Sequence, residues 1–127
     1  MGRLHWKLEP DHETVTLTVP SMSATVIVHY DAEAIEDTLK NLGAFRAAMQ
    51  PEITKTFPMG QKVSGVRDPI WVSEPETMEG NSLLHIRDPR YGWLHYVLSK
   101  GQARKLAGYL QTQADSEPPE PKSKSVN

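Results

Sequence analysis

The stretch that decides the fold is Leu83–Gln102, LLHIRDPRYGWLHYVLSKGQ. Two apolar-rich arms, Leu83–Arg87 and Trp93–Leu98, flank Asp88-Pro89-Arg90-Tyr91-Gly92. Pro89 presets the φ of a turn's first central residue, Asp88 can accept from the turn backbone, and Gly92 can adopt a positive φ. The segment therefore reads as a β-hairpin. Ser99-Lys100-Gly101-Gln102 follows as a capping box, with Ser99 as N-cap. Ala103, Leu106, Ala107 and Leu110 then give the buried stripe of a helix running to about residue 112.

Working outward, residues 14–50 repeat the same order of strand, turn, strand, N-cap and helix. Val15, Leu17 and Val19 alternate with threonines, and Thr25–Tyr30 returns after a Pro20–Ser23 loop. Asp31 caps a helix whose Ile35, Leu39, Leu42 and Met49 share one stripe. Gly43 is a place where that helix can close before resuming to Gln50, and Pro51 is its latest end. His29-Tyr30 and His95-Tyr96 fall in corresponding strands. Leu4–Leu8 alternates as a short first strand ended by Pro10. Residues 51–82, broken by prolines 51, 58, 69 and 75, read as a long covering loop in which Ile70-Trp71-Val72 forms a short strand. Residues 114–127, with three prolines and almost no aliphatic content, read as a disordered tail.

These elements predict a single α+β domain over residues 1–113. Its expected architecture is two-layer: an antiparallel sheet of about 4–6 strands with two helices packed on one face. The hairpin is apolar on both sides, because Leu84, Ile86, Trp93 and Val97 cannot all share a face with Leu83, Leu94, Tyr96 and Leu98. That predicts a central position in the sheet. The side away from the helices then needs a cover: the 51–82 segment, the N-terminal strand or a second copy of the chain. A homodimer is one expectation from this.

Composition narrows the chemistry. The 127 residues include no cysteine, which excludes disulfides, thiolate metal ligands and a thiol nucleophile. No G-x-S-x-G elbow, G-x-G-x-x-G or G-x-x-x-x-G-K-[ST] motif occurs. Glu74, Glu76 and Glu79 read as a solvated acidic stretch rather than an acid/base pair. No apolar run is long enough to span a bilayer, and Met1–Lys7 lacks the apolar core of a secretory signal, so a soluble cytoplasmic protein is expected. The histidines turn on the hairpin register. Gly92 as the last of four loop residues puts His85 opposite Tyr96 and points the two imidazoles to opposite faces. A three-residue loop would instead set His85 against His95, near enough to share a metal. With two ligands and no obvious third, neither a metal site nor any cofactor is expected.

Charge is unevenly distributed. The net value is −2, yet residues 1–54 carry 4 basic and 8 acidic residues, a balance of −4. Residues 83–112 carry Arg87, Arg90, Lys100, Arg104 and Lys105 against Asp88 alone, five less one, or +4. With Tyr91 and Trp93, these five define a candidate partner-binding surface of hairpin tip and basic helix face. The leading expectation is a small non-catalytic protein-binding or regulatory module. A nucleic-acid-binding accessory protein using the same Arg/aromatic surface is the alternative, weakened by a pI near 6.2. A small enzyme or ligand carrier would need a pocket near Trp71 and His85, between the sheet and residues 51–82.

Overall fold

The structure, a computed structural model, describes residues 3–119. It is α+β, with strands β1 (His5–Leu8), β2 (Val15–Pro20) and β3 (Thr25–Tyr30), then helix α1 (Ala32–Ala48). Strands β4 (Trp71–Pro75), β5 (Ser82–Asp88) and β6 (Gly92–Leu98) follow, then helix α2 (Lys100–Asp115). The expected single sheet of 4–6 strands is instead two separate three-stranded antiparallel sheets, β1-β2-β3 and β4-β5-β6. The chain divides accordingly into two units, Met1–Val63 and Ser64–Asn127. Each is a three-strand meander followed by one capped helix, so the shared order of elements extends to a third strand. The cause of the difference lies in β4. The strand expected at residues 70–72 runs instead over 71–75 and pairs along its length with β5, which completes a second meander. The 49–70 segment, with Pro51, Pro58 and Pro69, carries no strand that could join the sheets.

In the first unit, Asp11 organises the β1–β2 turn. Its Oδ1 accepts from the Glu13 and Thr14 amides at 2.8 and 2.9 Å, and its Oδ2 from the Thr14 hydroxyl at 2.9 Å. These bonds hold the Asp11 carboxyl below its usual range, the Glu13 amide most strongly. Pairing of Leu17 with Trp6 and Val28, and of Val15 with Tyr30, puts Trp6, Val15, Leu17, Val28 and Tyr30 on one face. Leu17, at the centre of that face, is the one buried hydrophobic residue among those described, at 9% exposure. Trp6 and Tyr30 meet at its edge with ring centroids 6.0 Å apart. Asp31 Oδ1 accepts from the Ala34 amide at 2.8 Å, the expected N-cap. Helix α1 passes Gly43 without a break and stops before Pro51, whose restricted φ and missing N–H end helices.

In the second unit, Ser99 caps α2 by accepting from the Gln102 amide at 3.2 Å. The helix runs to Asp115, two residues into the segment read as a tail. Residues 116–119 have no regular structure, and 120–127 lie outside the described residues. Strand β5 is central, whereas β6 is an edge strand rather than the central one its two apolar faces suggest. Among the described residues, no helix is long and apolar enough to cross a membrane.

Candidate functional site

The β5–β6 turn fixes everything around it. Asp88 pairs with Gly92, so the loop is Pro89-Arg90-Tyr91, three residues rather than four. Gly92 is part of the strand, at φ 78°, the left-handed residue that follows the turn in three-residue hairpins. Asp88 Oδ1 accepts from the Arg90 amide at 2.7 Å and the Tyr91 amide at 3.2 Å. The Arg90 guanidinium donates back to both Asp88 oxygens, at 3.3 and 3.2 Å. The Arg90 side chain, with help from its own amide, holds the Asp88 carboxyl below its usual range, and Asp88 raises Arg90 in turn. Arg90 also lies 5.1 Å from the Tyr91 ring centroid.

This register corrects the expected facing of the histidines by one residue, and a slip of one residue turns every side chain over. His85 stands opposite His95, not Tyr96, and both imidazoles share a face. Their Nδ1 atoms are 2.8 Å apart and the rings meet edge to face. On the far side of the His85 ring, Nε2 lies 3.2 Å from Glu74 Oε1. Glu74 is therefore no free solvated acid; it closes a Glu74–His85–His95 chain across all three strands. The strand read at Ile70-Trp71-Val72 stopped short of Glu74, and the histidine pairing needed both its continuation to Pro75 and a three-residue loop. Among the described residues, no group of three or more His, Asp and Glu side chains converges as metal ligands.

The opposite face carries the unit's apolar surface. Trp71, Ser73, Leu84, Ile86 and Leu98 from the sheet line a cavity of about 460 Å³. Ala103, Leu106, Ala107 and Leu110, the stripe expected to be buried, line its helical side. The stripe faces the sheet without closing on it: Trp71 stays 63% exposed and Leu110 55%. A pocket near Trp71 thus exists, but α2 rather than the 51–82 loop forms its other wall, and His85 belongs to the opposite face.

The seven residues of the expected contact surface fall in separate places. Arg90 and Tyr91 are at the hairpin tip. Arg87 and Trp93 pair across β5 and β6, on the face of the two histidines. Lys100 is at the other end of the sheet, about 20 Å away at about 3.4 Å per strand residue. Its side chain lies 3.1 Å from where a Cβ on Gly80 would stand, over the β4–β5 turn. At about 100° per residue, Lys100 and Arg104 border one edge of the α2 stripe while Lys105 points away from it. The geometry thus groups Arg87 with Trp93, Arg90 with Tyr91, and Lys100 with Arg104. No protein-family model, curated protein or solved structure matches the chain.

Proposed function

We propose that the chain is a non-catalytic protein-binding module of the cell interior whose contact surface is the groove between the β4–β6 sheet and α2. The observation that carries this reading is the unfilled apolar cavity flanked by an exposed tryptophan and an exposed leucine stripe. A continuous apolar concavity of this kind on a small unit is the mark of a surface awaiting a partner. Basic side chains stand at both ends of the sheet, Arg90 at the tip and Lys100 with Arg104 along the helix edge. The complementary partner is an apolar segment, helical or extended, with acidic residues flanking it.

The test uses the full chain with Trp6→Phe and Trp93→Phe, leaving Trp71 as the sole emitter. Titration with an amphipathic peptide flanked by Asp and Glu is expected to shift Trp71 emission to the blue. A Lys-flanked version should bind more weakly, and Leu110→Glu should abolish the response. Equal response to both peptides, or none to either, would reject the reading. A cavity of this volume also suits a small apolar ligand; saturation by a single aliphatic ligand with no peptide response would favour a carrier instead.

A further inference from the structure

We propose that His85 and His95 form a two-imidazole site for a divalent transition-metal cation, with Cu²⁺ bound most tightly, on the sheet face opposite the groove. Two Nδ1 atoms brought to 2.8 Å from separate strands already share a small volume. That spacing is the imidazole–imidazole hydrogen bond of the metal-free pair, and a pivot of the rings turns both nitrogens onto one ion at about 2.0 Å. Cu²⁺ stands at the top of the affinity order for nitrogen ligands.

A second observation points the same way. The Glu74 carboxylate accepts from His85 Nε2, at 3.2 Å, so the His85 Nδ1 lone pair faces His95. A carboxylate behind a ligating imidazole fixes its tautomer and raises its basicity. Without metal, the proton between the two Nδ1 atoms belongs to His95. Binding moves it to His95 Nε2, on an exposed ring, through solvent, and both rings pivot so that their lone pairs meet at the ion. Arg87 is the cation on this face, one cross-strand pair from the site, and Glu74 offsets it. Water completes the coordination, so the site is open and exchangeable. The first unit supplies an internal contrast. At the cross-strand pair Thr16–His29, the Thr16 hydroxyl donates to Glu9 Oε1 at 2.8 Å and meets His29 Nδ1 at 3.0 Å. A hydroxyl stands there in place of the second imidazole, and no two-nitrogen site results.

The experiment is calorimetric titration of the chelator-treated full chain with CuCl₂, alongside Ni²⁺ and Zn²⁺, for wild type, His95→Ala and Glu74→Gln. One equivalent of Cu²⁺ is expected to disappear in His95→Ala, and its affinity to fall about tenfold or more in Glu74→Gln. Paramagnetic broadening in the wild-type NMR spectrum should strike the His85 and His95 imidazoles first, which keeps the test valid if a variant fails to fold. Equal Cu²⁺ stoichiometry in wild type and His95→Ala, or first broadening at His5, His12 or His29, would overturn the proposal.

Discussion

Replacing Gly92 by alanine tests whether the three-residue loop sets the register of the second sheet. Gly92 has φ 78°, and a Cβ placed there meets nothing within 4 Å, so the cost is conformational rather than steric crowding by neighbours. Holding an L-residue in the left-handed region costs about 1–2 kcal/mol. Against this, alanine restricts the unfolded chain and returns about 0.4–1 kcal/mol. The net expectation is destabilisation by about 1 kcal/mol. Gly108 provides the opposite sign within the same unit. It lies in the interior of α2, turned away from the groove stripe, again with nothing within 4 Å of an added Cβ. Alanine there should stabilise by about 0.5–1 kcal/mol. The assay is thermal unfolding of the full-length variants followed by circular dichroism. For a unit of this size each kcal/mol shifts Tm by about 4–8 °C. Gly92→Ala should therefore melt several degrees below wild type, Gly108→Ala several above, and Gly92→Asn between wild type and Gly92→Ala, because asparagine tolerates positive φ. A Gly92→Ala variant as stable as wild type, beside a stabilised Gly108→Ala, would show that the turn does not require this conformation. The register argument for His85 and His95 would then fail with it.

Two further outcomes follow from the same geometry. Leu17→Ala removes the one buried side chain described and should cost about 2–3 kcal/mol in urea unfolding, whereas Ile27→Ala, on the other face of the first sheet and largely exposed, should stay within about 0.5 kcal/mol; similar losses at both positions would contradict the assigned faces. Acid sensitivity should pass through Asp88. Its folded carboxyl is depressed, first by the Arg90 side chain, so its contribution is present above the ordinary carboxylate value of about pH 4 and is lost as pH falls through the folded value. Tm measured from about pH 6 down to about pH 2 should fall less steeply in Asp88→Asn than in wild type, and identical acid limbs would refute the assignment.

Much of the local structure was legible in the sequence because its causes are local. Asp31 and Ser99 announce helix starts by their side-chain chemistry, and both accept the backbone N–H that this chemistry predicts. Alternation in Val15–Val19 and the stripe Ala103–Leu110 likewise identify the faces that the structure uses. What sequence left obscure depends on a single count at Gly92. As a fourth loop residue it separates the two imidazoles; as the first residue of β6 it brings them together. Composition cannot distinguish these, since glycine suits both positions. At β4, Ile70-Trp71-Val72 reads as a strand from its own residues, but Ser73-Glu74-Pro75 does not, and the continuation through them comes from pairing with β5. Ending that strand at Val72 also concealed Glu74 as a partner for His85.

The two surfaces of the second unit are separable by the strict alternation of side chains. Trp71 and Ser73 lie on the groove face and Val72 and Glu74 on the other; Leu84 and Ile86 oppose His85 and Arg87 in the same way. Substitutions that fill the groove therefore need not disturb the imidazole pair, and those that remove His95 need not alter the groove. The connection between the faces is register alone. Because one residue of slippage exchanges all of these side chains at once, Gly92 and Asp88 control both surfaces without belonging to either. This makes the turn the most economical place to test the whole arrangement. A variant that keeps the sheet but shifts its register should lose the groove response and the Cu²⁺ equivalent together, whereas damage confined to one face should lose only one.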